Sequence, residues 1–255
     1  MASLAKALCN ARARGGVITV EPAQRPTSVA AAYGIQAEAS ARSGLEQVGW
    51  KIGAAAQPAI DMLALDAPFL APLLAPHCLA DGAEVAIVAG QSPGLETEFL
   101  VALGADLPAR AEPWRPDEVA GAIDYVAPAF EIVACRFAGG FKGNGMIAIA
   151  DGGGNAAIVQ GAPVRDWRRF DLAAHQLRLS MNGAETVVGS GSALIFGDPI
   201  AAVVWLANQP QVAPHGLRRG EIVMTGTCTG LTSLQAGDRA EADFGELGRV
   251  HARFT

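Results

Sequence analysis

The stretch Leu95-Glu96-Thr97-Glu98-Phe99, within PGLETEFLVALG, places the tightest constraint on how this chain can fold. Side chains alternate with period two along an extended strand, so Glu96 and Glu98 share one face while Leu95, Thr97 and Phe99 take the other. The neighbouring residues are mostly apolar, which puts the strand in a sheet with one face packed on a core. The fold must then offer the acidic face either water or a counter-charge. A solvated strand face and a pair of hard oxygen ligands both meet that condition.

A second carboxylate source lies in PAFEIVACRF, read as part of a strand from Val126 to Phe137 in which Glu131, Val133 and Cys135 share a face. Glutamate in so apolar a run is almost never fully buried unless it is paired or metal-bound. The strand Gln47 to Gly53 (QVGWKIG) sets Val48, Trp50 and Ile52 on one face and Lys51 on the other, between glycines. Lys51 reads either as an exposed edge residue or as a site residue whose flanking glycines let a ligand approach the backbone.

The remaining pattern predicts many strands and few helices. Helices are expected over residues 2–14, ended by Gly15-Gly16, and from a Thr27 or Ser28 N-cap to Gly44. Residues 54–82 carry prolines at 58, 68, 72 and 76 and read as a short helix followed by an irregular loop. Further strands are expected at 84–89, 95–103, 176–181, 184–189, 221–227, 239–244 and 249–254, the third and fourth joined by the hairpin signal Asn182-Gly183. Short helices are expected at 116–123 and after Asp198-Pro199, and the glycine-rich residues 138–161 read as a loop packed near a site, with Asp151 and Asn155 as its polar handles. This is an α+β pattern built on a mixed β-roll or sandwich. Either a small helical N-terminal portion, residues 1–82 with the KIG strand and the proline-rich loop, precedes a core over 83–255, or the two form one continuous domain.

Composition narrows the partners. A net charge of −6 argues against nucleic acid, which needs clustered Lys and Arg. No apolar run has signal-peptide or membrane-span length, so a cytoplasmic chain is expected. Only 17% of residues are charged, which points to apolar surface and a homo-oligomer. The cysteines at 9, 78, 135 and 228 have neither zinc nor disulfide spacing and are expected to be reduced, three of them buried. Cys228 has no histidine placed to activate it and reads as packing.

Taken in order, GWKIGA at 49–54, LETEFLVALGADLP at 95–108, PAFEIVACRF at 128–137, GDPIAAVVWLAN at 197–208, MTGTCTG at 224–230 and GDRAEADFGELGRVHARF at 237–254 resemble the hydratase/decarboxylase branch of the fumarylacetoacetate hydrolase superfamily. The resemblance implies a β-roll holding Mg²⁺ or Mn²⁺ on Glu96, Glu98 and Glu131. Three carboxylates independently suit a hard cation, and without one or protons they repel. Lys51 matches a lysine that assists proton transfer, with Asp151 as a further proton-transfer candidate, and burial is expected to lower the lysine pKa. Gly226 and Thr227 match a segment that hydrogen-bonds the substrate carboxylate through a backbone N–H and a hydroxyl. The implied substrate is a small 2-oxo or 2-hydroxy-dienoic acid, hydrated or decarboxylated; acylpyruvate hydrolysis and a non-catalytic 2-oxo-acid-binding subunit are the other readings. Two departures leave the substrate open: the loop 73–79 lacks the family's acidic residues, offering His77 instead, and residues 151–155 read DGGGN where the family has a DNxS-like stretch.

Overall fold

In the computed structural model, which describes residues 3–88, 90–212 and 214–255, two helices come first, α1 (Leu4–Arg14) and α2 (Val29–Ser43). Ser3 and Ser28 cap their N-termini by accepting hydrogen bonds from the backbone N–H groups of Lys6 and Ala31, and Gly15 and Gly44 close them in the left-handed conformation. Ala2, where the first helix was expected to begin, lies outside the described residues.

One sheet dominates. Its strands are β1 (Gln47–Gly53), β2 (Phe69–Leu74), β3 (Cys78–Ala80), β5 (Gly94–Leu103), β6 (Ile123–Val133), β7 (Asn155–Gln160), β10 (Ile222–Met224) and β11 (Thr232–Ser233), in the order β2-β1-β10-β5-β6-β7-β3, with β11 added to β5. The pairs β1/β10 and β3/β7 are parallel and the rest antiparallel. Strands from both sides of residue 82 therefore hydrogen-bond in this sheet. A second sheet has the order β4-β13-β12-β8-β9, from β4 (Ala83–Val85), β8 (Gln176–Met181), β9 (Ala184–Ser190), β12 (Arg239–Asp243) and β13 (Arg249–Phe254). The other helices are α3 (Gln57–Leu63), α4 (Pro116–Ala122), α5 (Gly145–Ala150) and α6 (Pro199–Ala207), the last capped by Asp198, whose carboxylate accepts from the N–H groups of Ile200 and Ala201. Among the described residues no helix is long and apolar enough to cross a membrane.

The large sheet curls so that its two ends come near each other. Its path begins at β2 and ends at β3, yet only the 3₁₀ turn Ala75–His77 separates these strands in the chain. Leu73, Leu100, Ala102, Ala127, Ala129, Ile158, Ile222 and Met224, drawn from β2, β5, β6, β7 and β10, form one small apolar cluster. Strands so far apart in the path share a cluster only if the sheet curls around it. Leu95, Phe99, Val101 and Phe130 point the other way and join the main core, against Leu177, Ala240 and Val250 of the second sheet and Val203 of α6. The result is the expected α+β architecture, a β-roll with a sandwich partner.

Several expectations are corrected. Residues 69–74 are a strand rather than loop, and Pro72 is tolerated there because β2 is the terminal strand of the path, laddered on one side. Residues 145–150 form α5 inside the glycine-rich region, since the apolar run MIAIA packs its helix against Phe69 and α2. The strand expected to reach Phe137 ends at Val133, and that expected over 84–89 covers only Ala83–Val85, Ala89 being outside the described residues. Of the four thiols, Cys135 and Cys228 are buried while Cys9 and Cys78 are half-buried.

Candidate active site

The register of β5 against β6 sets Glu96 directly opposite Glu131 and Glu98 opposite Ala129. Like charges directly opposite each other destabilise a sheet, so this pairing needs compensation. Period two puts Glu96, Glu98, Leu100 and Ala102 on one side of β5, so the acids lie inside the roll, beyond its apolar plug. Glu98 and Glu131 are fully buried and Glu96 is half-buried, and ligand oxygens of all three lie within 4.8 Å of one another.

Lys51 reaches this cluster from β1, which is an interior strand of the path and not an edge. Its Nζ lies 2.9 Å from Glu131 Oε1, and its side chain is 3% exposed. A Cβ on Gly153 would come within 2.6 Å of Nζ, so the left-handed glycine leaves the volume the ammonium occupies. Burial by itself would lower the Lys51 pKa, but the charges of Glu131, Glu96 and Glu98 outweigh it and hold the ammonium above its ordinary value. The expected lowering is thus reversed in the metal-free protein. Burial, then the charge of Glu131, pushes Glu96 up to about 7, and burial, then Glu131 and Glu96, raises Glu98 well above the usual carboxylate range.

Two fully buried oxygens in the cluster have no hydrogen-bond partner: Glu98 Oε1 and Glu131 Oε2. Their sister oxygens are held, Glu98 Oε2 by the Gly226 N–H at 2.7 Å and Glu131 Oε1 by Asn155 Nδ2 at 3.0 Å as well as by Lys51. Buried acceptors without donors are rare and costly. A three-carboxylate set with free oxygens and no sulfur or imidazole donor fits a hard divalent cation.

The other expected site residues fall differently. Gly226, expected to meet the substrate through its N–H, donates that N–H to Glu98 Oε2. Thr227 lines the cavity above the cluster, its hydroxyl donating to Gly230 O and accepting from Thr229 N. Asp151 does not join the cluster. Its carboxylate bonds Arg136 Nη1 at 3.1 Å and the Arg136 backbone N–H at 3.2 Å, an ion pair with both partners buried. Sequence reasoning offered Asp151 as a proton-transfer group; the structure turns both of its oxygens toward Arg136. His77 is half-buried, its pKa lowered by burial and by Arg12 and Arg136, away from the carboxylates. Burial raises the Cys228 thiol far above its ordinary value, in keeping with packing.

Asn155 and Arg136 are the residues that sequence reasoning did not assign. Arg136 Nη2 donates to Asn155 O at 2.7 Å, and Asn155 in turn donates to Glu131. The available signal was an arginine ending the apolar run AFEIVAC. Above the carboxylates opens a cavity of about 480 Å³, with Lys51, Glu96, Phe69, Thr227 and Leu231 among its walls.

Known proteins resemble this chain in sequence and in fold. The 2-keto-4-pentenoate hydratase of Paraburkholderia xenovorans is 30% identical over 226 residues, 88% of this chain and 82% of that protein. A 2-hydroxyhexa-2,4-dienoate hydratase of Comamonas testosteroni is 32% identical over 215 residues, 84% and 80% of the respective chains. The structure of 4-oxalocrotonate decarboxylase from Pseudomonas putida G7, complexed with magnesium and adipate, superposes with a TM-score of 0.88 at 26% identity, covering 99% of this chain and 96% of that one. The family described as fumarylacetoacetate (FAA) hydrolase C-terminal matches residues 53–255. On the fold, the carboxylate cluster and this match, the chain belongs to the fumarylacetoacetate hydrolase family.

Proposed function

We propose that this chain is a divalent-cation-dependent hydro-lyase that adds water to a 2-hydroxy-dienoate, giving a 4-hydroxy-2-oxo acid. The observation that carries the reading is the buried trio Glu96, Glu98 and Glu131, with two unpartnered oxygens and one lysine, at the base of a cavity. Those three residues would hold Mg²⁺ or Mn²⁺, which supplies Lewis acidity toward the oxygens of a 2-oxo acid. Lys51 presents its ammonium to the same space, where it favours the enolate form and holds the proton delivered to the far end of the diene. Water adds at the conjugated carbon, and the overall change is the gain of one water molecule. Thr227 orients the substrate from the cavity wall. Arg136, Asp151 and Asn155 act at one remove by holding Glu131.

A second reading keeps the same residues. Decarboxylation of a 4-oxalocrotonate-like acid also develops an enolate, and it is supported by the 0.88 TM-score to the decarboxylase named above. The enzyme would act on a small acid in the cytoplasm, as a homo-oligomer; the low charged fraction of 17% supports the self-association. Steady-state assays with Mg²⁺ and Mn²⁺ against 2-hydroxydienoates, 4-oxalocrotonate and acylpyruvates test it. Hydration of the dienoates supports the first reading and release of CO₂ the second; cation binding without turnover of any compound sinks both.

A further inference from the structure

The cavity above the carboxylates has two unlike ends. Its charged lining residues, Lys51 and Glu96, both belong to the cluster at its base. At about 480 Å³ it falls in the range of pockets that enclose drug-sized ligands, with room beyond a five-carbon acid. Seven large apolar side chains are exposed among the described residues, and three of them line this cavity: Met62, Val188 and Leu231, at 42%, 46% and 56% exposure. They come from α3, from β9 of the second sheet and from the turn before β11, and the sequence gives them no common pattern. Gly189 allows the convergence, because a Cβ there would lie 2.1 Å from the Cys228 carbonyl oxygen, so β9 can press against the 226–231 turn.

We infer that the substrate carries an uncharged, apolar substituent at the end away from its carboxylate, held by Met62, Val188 and Leu231. The inference rests on the functional reading above for the polar end of the substrate. Among the described residues the lining holds no cation besides Lys51 at the base, so a second carboxylate at the rim would give up water for apolar walls, in the field of three glutamates. Specificity of this kind comes from the missing counter-charge as much as from apolar contact.

The test is calorimetric titration of the Mn²⁺-loaded protein with straight-chain 2-oxo acids from 2-oxobutanoate to 2-oxo-octanoate, beside 2-oxoadipate. Affinity is expected to rise about fourfold for each methylene group that reaches the rim. 2-Oxoadipate is expected to bind at least about tenfold more weakly than 2-oxohexanoate, which has the same number of carbons. Leu231→Ser should reduce the advantage of the octanoate over the butanoate, and Val188→Lys should shift preference toward 2-oxoadipate. A flat series, or tighter binding of 2-oxoadipate, with the cation still required, overturns the inference and leaves the functional reading standing. Binding that needs no cation for any of these acids overturns both.

Discussion

Two buried ion pairs sit at neighbouring positions of this fold, and they are built to opposite rules. Arg136 and Asp151 meet at 3.1 Å with both carboxylate oxygens bonded, and the guanidinium uses a further nitrogen on Asn155 O. Lys51 and Glu131 meet at 2.9 Å, but two more glutamates crowd the same space and two oxygens are left unbonded. The first group carries excess positive charge, since Arg12 lies beside it, its pKa lowered to about 10 by burial and then by Arg136. The second carries excess negative charge. Asn155 joins them, accepting from Arg136 and donating to Glu131. A satisfied buried pair is closed to further partners; an unsatisfied one keeps acceptors free for another positive charge.

Replacing Lys51 by Met should separate catalysis from cation binding. The turnover rate is expected to fall by about 10²–10⁴-fold, the range for loss of a positioned proton-transfer group. Calorimetric Mn²⁺ affinity should hold or increase, because the ammonium competing for Glu131 is gone. A parallel loss of both would make Lys51 part of the scaffold and erase the contrast.

Removing one carboxylate from each group should then give opposite signs. Asp151→Ala leaves the Arg136 cation buried and unpaired, and thermal unfolding of the metal-free protein should show a loss of about 3–5 kcal/mol. Glu98→Gln removes a buried carboxylate with an unpartnered oxygen, so metal-free stability should hold or rise while cation affinity falls about 100-fold or more. Equal destabilisation by both variants would break the distinction. Asn155→Ala, which cuts the link between the groups, should weaken cation binding by about tenfold, measured by the same calorimetry.

The acid cluster should also respond to pH. Glu96 has its pKa raised from 4.5 to about 7, so the folded metal-free protein binds more protons than the unfolded chain between those values. Its stability should therefore fall as pH rises through that window and level off above it. Cation binding needs the carboxylate deprotonated and should follow the reverse course, strengthening by up to about tenfold per pH unit below 7. Melting curves in EDTA and titrations at several pH values read the two slopes; slopes of the same sign would contradict the assignment of Glu96.

The acids were legible because period-two alternation fixes which side chains share a strand face, and an acid within AFEIVAC has few ways to be buried. Their convergence with Lys51 was not, since it depends on β10 lying between β1 and β5, a tertiary fact. Asp151 was legible as polar and near the site but not in its direction. Glycines 152–154 all have positive φ, and such a turn can aim a preceding side chain either way. The proline-rich strand β2 was hidden because proline argues against a strand wherever both sides are laddered, and nothing local marks it as terminal. The rim residues Met62, Val188 and Leu231 were invisible for the same reason as the convergence of Lys51: three elements meet only in the folded chain.

The order of strands in the roll also sets the order in which the site can be assembled. Glu96, Glu98 and Glu131 lie on adjacent antiparallel strands, β5 and β6, so a local pairing brings them together. Lys51 belongs to β1, near the start, and reaches the acids only through β10 at residues 222–224. On the ribosome, the lysine-bearing strand can pair early with β2 at residues 69–74, but it must wait for nearly the whole chain to emerge before β10 joins it to the strands that carry the acids. Until then the growing chain carries its acids without their one basic partner, and an early-bound cation would be the natural counter-charge to hold that hairpin together.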